Sequence, residues 1–222
     1  MTYIGLDGYR RGWVAVRIDG RKRELDFLDR IERILDLPFE RAAVDIPIGL
    51  PSDGNRGCDQ AARDLLDHNR SRVFLGARRW ILDCASVGEA NTRARALGQS
   101  GVSAQLFCLS AKIAEADALV RKAGQKRIRE THPELVFRRL NGFEPLAGKK
   151  TAAGHAARRV LLEQDGFRDL DAWLERRLGT GAKPDDVLDA CACAIAARDD
   201  GDRVPLKGVR VDDEGLRMQI HY

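Results

Sequence analysis

The first thirty residues alternate between hydrophobic and polar positions in a way that predicts three strands. Residues 2–7 (TYIGLD) form a short apolar run, and residues 12–18 (GWVAVRI) and 24–28 (ELDFL) alternate between apolar and polar side chains. The link GYRRG between the first two runs is short enough for a hairpin. The pattern therefore predicts that the chain opens with strands of the antiparallel type.

A helix and a fourth strand come next. Residues 29–36 (DRIERILD) carry apolar side chains at helical spacing. Residues 42–46 (AAVDI) predict a buried strand, which Pro47 and the glycine and proline that follow bring to an end. Three antiparallel strands, a helix and a fourth strand form the opening of a ribonuclease-H-like topology, and we expect that architecture.

The segment after the fourth strand is predicted to be a helical insertion at about residues 52–125. Its helices are expected at residues 57–67, 86–98 and 103–123, and the last has a clear apolar stripe. A fifth strand, 126–131 (KRIRET), follows and is closed by His132-Pro133. We therefore expect one domain over residues 1–222 that contains this insertion.

Three more helices and a short tail complete the pattern. Helices are predicted at about 151–165 and 169–178, and the clearest one spans 185–198, after Pro184 and with an alanine-rich body. The tail 204–220 predicts two short strands. The expected fold class is α/β, with a mixed five-stranded sheet flanked by helices and a helical insertion after the fourth strand.

Composition excludes several classes of protein. A chain of 222 residues that is 44% hydrophobic and 32% charged can bury a sizeable core. It has no run of about 18 apolar residues that would span a membrane, and its first residues lack the pattern of a secretory signal. The five cysteines form no C-x-x-C pair and have no zinc-type spacing to the histidines. We expect a cytoplasmic protein with neither a zinc site nor a membrane partner.

The charge distribution suits an acidic ligand without requiring one. The net charge is +4, and six arginines stand against three aspartates between residues 56 and 79. This stretch predicts either a solvated helix face or a surface that contacts phosphates. The candidate substrate-binding residues, each of which could instead be an ordinary exposed charge, are Arg10, Arg56, Arg63, Lys150 and Arg158.

Acidic residues recur near the ends of predicted strands and at the start of the last helix. Asp7 ends the first strand, Asp45 lies near the end of the fourth, and Glu130 lies near the end of the fifth. If these strands are parallel, their carboxyl ends share one edge of the sheet, where sites commonly form. Asp186 and Asp189 share a face in the first turn of the last helix. Docking that turn on the same edge would bring the acids together.

Such a cluster predicts a bound cation, because neighbouring carboxylates repel each other and raise each other's pKa. Mg²⁺ and Mn²⁺ are the expected ions, since both are hard and prefer oxygen ligands. Two such ions about 4 Å apart can activate water and stabilise a leaving 3′ oxygen. The expected metal ligands are Asp7, Asp45, Asp186 and Asp189, and the expected catalytic acids are Asp7, Asp45, Glu130 and Asp189.

Each acid also has a purely structural interpretation. Asp7-Gly8 is also a pair of residues that commonly forms a turn at the end of a strand. Asp186 suits the first turn of a helix because of the helix dipole, and Glu130 could pair with a neighbouring arginine. Asp45 is harder to explain in this way, because an acid inside AAVDIPIG would be buried without a partner.

Motifs along nearly the whole chain carry a resemblance to a known family. They are DGYRRGWVAV, VDIPIGLP, R-x-C-D-x-x-A-R, RVF, GVSAQ, KIAEAD, ETHPELVF, KKTAAGHAARRVLL and DDVLDACACAIAA. With these motifs the chain resembles the predicted nuclease family of ribonuclease-H-like fold known as domain of unknown function 429 (DUF429). The last motif is also similar to the D-x-x-D-A helix of Holliday-junction resolvases.

The resemblance implies this sheet-and-helix core and a nuclease that hydrolyses phosphodiester bonds of nucleic acid, for which the acidic cluster predicts Mg²⁺ or Mn²⁺ as cofactor. The sequence does not choose between DNA, RNA and a branched structure as substrate, and it predicts no oligomeric state. The alternative is a non-catalytic ribonuclease-H-like module that binds nucleic acid, a nucleotide or a protein partner, because a fold does not fix a function.

Overall fold

The structure is a computed structural model that describes residues 1–222. The chain divides into two compact units, of which the first contains residues 1–46, 126–202 and 221–222, and the second contains residues 47–125 and 203–220. The insertion predicted at about 52–125 therefore lies in the second unit, together with the tail 204–220. None of the helices combines the length and the apolar character needed to cross a membrane.

The sheet is mixed, as the sequence pattern predicts, but it has seven strands and not five. The strands are β1 (Thr2–Tyr9), β2 (Gly12–Asp19), β3 (Lys22–Leu28), β4 (Arg41–Val44), β5 (Ile128–Thr131), β6 (Arg203–Val204) and β7 (Ile220–His221), in the order β3-β2-β1-β4-β5-β7-β6. The two additional strands, β6 and β7, are only two residues long.

Strand directions explain how one edge of the sheet collects side chains from distant parts of the sequence. β1 is antiparallel to β2, and β2 is antiparallel to β3, so the chain opens with a meander. β4 runs parallel to β1, and β5 runs parallel to β4. The carboxyl ends of β1, β4 and β5 therefore lie at the same edge of the sheet.

Eight α-helices accompany the sheet. They are α1 (Gly57–Leu66), α2 (Val87–Ala96), α3 (Ala104–Cys108), α4 (Ser110–Ala123), α5 (Pro133–Leu140), α6 (Ala152–Gln164), α7 (Leu170–Arg176) and α8 (Pro184–Arg198). The first four belong to the second unit and the last four to the first unit. α8 packs on β1, β2 and β4, while α5, α6 and α7 pack against α8. The predicted α/β class, with a mixed sheet flanked by helices, is confirmed.

The close approach of α8 to β1 depends on one glycine. A Cβ atom at Gly5 would lie 2.0 Å from the backbone nitrogen of Ala194 and 2.2 Å from the carbonyl oxygen of Ala190. Only a residue without a side chain fits there, because real Cβ atoms do not come so close to backbone atoms. This contact also identifies the face of β1 that is turned toward α8.

Three local predictions need correction. The helix predicted at 29–36 is a 3₁₀ helix, Ile31–Asp36. The helix predicted at 103–123 is two helices that meet at Leu109. α5 follows the fifth strand directly, where the sequence pattern predicts only the end of a strand at His132-Pro133. Pro133 occupies the first turn of this helix, where the N–H that proline lacks has no partner within the helix.

Candidate metal centre

Two of the predicted acids lie side by side at the carboxyl ends of β1 and β4. The backbone N–H of Asp45 donates to the carbonyl of Leu6 at 3.1 Å, which continues the pairing of Leu6 with Val44 by one residue. Side chains alternate between the two faces of a strand, so Asp7 shares the face of Gly5, the face that α8 covers. Asp45, in register with Asp7, lies on that face too. Asp7 is 8% exposed and Asp45 is half-buried.

The first turns of α8 bring two more acids. Asp186 accepts a hydrogen bond from the backbone N–H of Lys183 at 2.7 Å, so it also caps the helix. Asp189, one turn further on, is only 3% exposed. Its Oδ2 accepts a hydrogen bond from Lys149, whereas its Oδ1 is buried without a hydrogen-bond partner. One buried carboxylate oxygen is therefore left for a ligand.

The pKa shifts of these four carboxyl groups are those expected of buried acids that lie near other charges. Burial, followed by the charges of Asp189, Asp45 and Asp186, raises the pKa of Asp7 well above its ordinary value of 3.8. Burial likewise raises the pKa of Asp189 to about 7, against the opposing effect of Lys149 and with a further increase from Asp45. Burial also raises the pKa values of Asp45 and Asp186. The structure thus places Asp45, Asp186 and Asp189 near enough to Asp7 for their charges to act on it.

Lys149 is the cation within this group. Its Nζ lies 2.7 Å from Oδ2 of Asp189 and 3.8 Å from Oδ2 of Asp185. Burial alone would lower the pKa of Lys149, but the charges of Asp189, Asp45 and Asp7 outweigh burial, and the pKa is raised. One ammonium group cannot neutralise four carboxylates, so the cluster keeps an excess of negative charge when its acids are ionised.

Glu130 does not join the cluster. β4 and β5 pair so that Val44 is opposite Glu130, and the residue in register with Asp45 is Thr131. Glu130 therefore faces the opposite side of the sheet from Asp7 and Asp45. An acid near a strand end can be recognised in the sequence, but a register difference of one residue decides which face it occupies.

A different glutamate, which the sequence analysis did not single out, lies near the acids. Glu134, in the first turn of α5, raises the pKa values of Asp45 and Asp189. Its carboxylate accepts hydrogen bonds from Nη2 of Arg158 at 2.7 and 3.0 Å. The only signal in the sequence was the motif ETHPELVF, in which Glu134 is the second acid.

Arg158 is a structural residue and not an exposed substrate contact. It is 1% exposed, and its Nη1 donates to the carbonyls of Ala147 and Gly154 at 3.0 and 2.9 Å. Together with the ion pair to Glu134, these bonds tie α5 to α6 and fix the segment that carries Lys149. The role predicted for Arg158 therefore needs correction.

The other predicted substrate contacts have different surroundings. Arg56 is fully buried in the second unit, where Nη1 lies 3.0 Å from Asp59 and Nη2 donates to the carbonyl of Ile48. Arg63, also in the second unit, donates to the carbonyl of Val73 at 2.9 Å. The fully buried Arg56 cannot meet a substrate, which corrects that prediction. Arg10 and Lys150 are exposed, so their predicted role stays open.

Two further side chains border the carboxylates. His132, just before α5, lowers the pKa of Asp45 and therefore lies close to it. Cys193 of α8 is fully buried, and burial, Asp45, Asp7 and Asp189 raise the pKa of its thiol. A thiol that stays protonated is a poor metal ligand. Cys193 is therefore a poor donor, and carboxylate oxygens are the main donors that α8 and the strand ends supply.

This donor set fits a hard divalent cation. Carboxylates supply the oxygen ligands that Mg²⁺ and Mn²⁺ prefer, and the unpartnered Oδ1 of Asp189 is a buried acceptor that a cation would satisfy. Burial first, and the neighbouring carboxylates second, raise the pKa values of Asp7 and Asp189, and a bound cation would favour the ionised acids.

Comparison with known proteins gives one result. A family model described as "Protein of unknown function (DUF429)" matches residues 5–209, which is most of the chain. No curated protein matches, and neither does any solved structure. The match includes Asp7, Asp45, Lys149, Asp186 and Asp189.

Proposed function

We propose that this chain, which belongs to the DUF429 family of proteins of unknown function, is a divalent-metal-dependent nuclease that hydrolyses phosphodiester bonds of nucleic acid. The observation that carries the proposal is the cluster of Asp7, Asp45, Asp186 and Asp189, in which Oδ1 of Asp189 is buried without a hydrogen-bond partner. Excess negative charge in a buried site is unfavourable unless a cation balances it. Phosphate oxygens are common further ligands of such cations.

We also propose that the fold is ribonuclease-H-like. The antiparallel meander of β1, β2 and β3, followed by β4 and β5 parallel to β1, supports this assignment. The position of α8, which adds its acids at the ends of β1 and β4, agrees with it. The seven-stranded order is an extension beyond β5 by two very short strands.

The residues of the cluster would have distinct roles. Asp7, Asp45 and Asp189 would hold the cation, with Asp186 beside them at the helix start. The bound cation would supply Lewis-acid polarisation of the phosphate and a lowered pKa for water. Lys149 holds one oxygen of Asp189 at 2.7 Å and leaves the other for the ion. Its fixed positive charge would also favour the charge that develops on the phosphate.

The direct test is nuclease activity with Mn²⁺ or Mg²⁺ on single-stranded and double-stranded DNA and RNA. Asp7→Asn, Asp45→Asn and Asp189→Asn should each lower kcat by about 100-fold or more, because each removes a charged ligand of the ion. Asp29→Asn is the matched control, since Asp29 is 72% exposed. Full activity in all three folded variants, or failure of the wild type to bind either metal, would reject the nuclease.

A second candidate is a non-catalytic module that binds nucleic acid, a nucleotide or a protein partner. The observation that favours it is the ammonium group of Lys149 inside the cluster, since a lysine can take the place of a metal ion. Calorimetric titration with Mn²⁺ separates the candidates. A wild type that binds no Mn²⁺, next to a Lys149→Ala variant that binds it, would favour the module. Binding of Mn²⁺ by the wild type favours the nuclease.

A further inference from the structure

A groove opens beside the acidic cluster, along α6, α7 and the start of α8. Its volume is about 750 Å³, within the range of ~300–1,000 Å³ that is common for ligand sites. Lys149 lines the groove and also binds Asp189, so the groove leads directly to the carboxylates. All of its lining residues belong to the first unit.

The rim of the groove carries positive charge that the protein leaves unpaired. Lys150 is exposed and forms no ion pair, and Arg177 donates only a long hydrogen bond, 3.4 Å, to the carbonyl of Ala182. Arg159 differs, because it is held by Asp171 at 2.7 Å. Two acids also line the groove: Glu163 lies 3.7 Å from Arg159, and Asp185 lies 3.8 Å from Lys149. The first turn of α6 contains no acidic residue, so the positive end of its dipole adds to the same rim. An anionic ligand would satisfy these groups.

The floor of the groove is apolar. Val160 of α6 is 49% exposed although it is a large aliphatic residue, and Leu174 and Pro184 line the same cavity. His155 also lines the groove, and its Nε2 is buried without a hydrogen-bond partner. A ligand that fits must therefore combine an anionic group, an apolar face and a polar edge.

We propose that this groove binds one nucleotide of a single strand, adjacent to the phosphate held at the acidic cluster. The phosphate of that nucleotide meets Lys150 and Arg177, the base lies on Val160 and Leu174, and His155 hydrogen-bonds the base or sugar. A single strand is required, because in a duplex the face of the base is stacked and cannot reach the floor. The position of the groove relative to the cut bond rests on the proposed nuclease function, while the binding itself does not.

Binding is measured by fluorescence anisotropy in EDTA, so that no cleavage occurs, with a labelled single-stranded DNA of about ten nucleotides. The double variant Lys150→Ala/Arg177→Ala should weaken binding by about tenfold or more at ~50 mM salt. The slope of log affinity against log salt should fall by about two, one for each lost phosphate contact. The control is Lys126→Ala/Arg168→Ala, because both residues are exposed cations outside the groove.

The base contact has its own test. Val160→Ser should weaken binding of the DNA by about threefold to tenfold, with no effect on an abasic strand of equal length. A groove double variant that binds like the control, a duplex that binds as tightly as the single strand, or a nucleoside monophosphate that competes as well as the strand would each overturn the proposal.

The two proposals fail in different ways. If the wild type cleaves nucleic acid and the groove double variant has an unchanged KM, the groove proposal is wrong and the nuclease stands. If no cleavage occurs with any metal but the groove variants lose binding of the single strand, the nuclease is wrong and the groove stands.

Discussion

At the scale of single residues, Asp7 and Asp189 are more difficult to ionise in the folded protein than in the unfolded chain. The pKa of Asp189 is raised from 3.8 to about 7, and that of Asp7 is raised well above 3.8. Between about pH 3.8 and about pH 7 the folded state therefore binds more protons than the unfolded state. The free energy of unfolding of the metal-free protein therefore falls as the pH rises through this window.

Asp7→Asn should consequently stabilise the metal-free protein at about pH 8, by roughly 1–3 kcal/mol, because asparagine resembles the protonated acid and removes a buried charge. At about pH 4 the same variant should change the free energy of unfolding little, since Asp7 is then already protonated. Urea unfolding in EDTA at both pH values measures the difference. Asp29→Asn, on the surface, is the control. Equal destabilisation by Asp7→Asn at both pH values would contradict the electrostatic interpretation.

The buried ion pair between Glu134 and Arg158 permits a second prediction at this scale. Arg158→Met should lower the free energy of unfolding by about 3–5 kcal/mol, because it leaves the buried carboxylate of Glu134 without its arginine. Glu134→Gln/Arg158→Met should recover part of this loss, since the buried charge is then gone as well. Thermal and urea unfolding of the wild type, Arg158→Met and the double variant measure these differences in the free energy of unfolding. A double variant less stable than Arg158→Met would rule out charge burial as the cause.

At the scale of elements, the contact of β1 with α8 determines where Asp189 lies. Gly5→Ala should destabilise the protein by about 3 kcal/mol or more, because the new Cβ meets the backbone of Ala194 at 2.0 Å and neither backbone can yield easily. Gly88→Ala, at a helical glycine where the nearest atom to a new Cβ is 3.7 Å away, is the matched control. Similar stability of the two variants in urea would show that the helix can shift without cost.

The elements also show which features of the fold can be predicted from local sequence patterns and which cannot. The strands β1–β4 and the helix α8 were predictable, because alternation, helical spacing and Pro184 are local signals. The face occupied by Glu130 was not predictable, because it depends on how β5 pairs with β4. Nor was the pairing of Glu134 with Arg158, which forms only when α5 and α6 pack together.

At the scale of the whole molecule, a cation bound at the cluster should stabilise the folded state. Mn²⁺ at about 100 times its Kd should raise the Tm by roughly 5–10 °C at about pH 8. The shift should be smaller at about pH 5, because protons compete with the metal for the carboxylates. Asp189→Asn should reduce the shift at both pH values. Equal shifts in wild type and Asp189→Asn would mean that Mn²⁺ binds elsewhere.

The candidate site was predictable from the whole sequence only in part. Asp7, Asp45, Asp186 and Asp189 were expected near one edge of the sheet, and the structure places them there, because parallel strands end at that edge and α8 docks on it. Their role as metal ligands stays a prediction. Lys149 appears in the sequence patterns only as the first residue of the motif KKTAAGHAARRVLL. Its position among the acids depends on the hydrogen bonds of Arg158 to the segment around it, which no local pattern encodes.

The four carboxylates come from both ends of the chain, and this has a consequence for protein synthesis. A ribosome makes Asp7 and Asp45 early, and it makes Asp186 and Asp189 only after most of the other residues. A nascent chain, or a product truncated by a premature stop codon before α8, therefore contains no complete cluster. Any activity that depends on these acids therefore appears only after translation of α8.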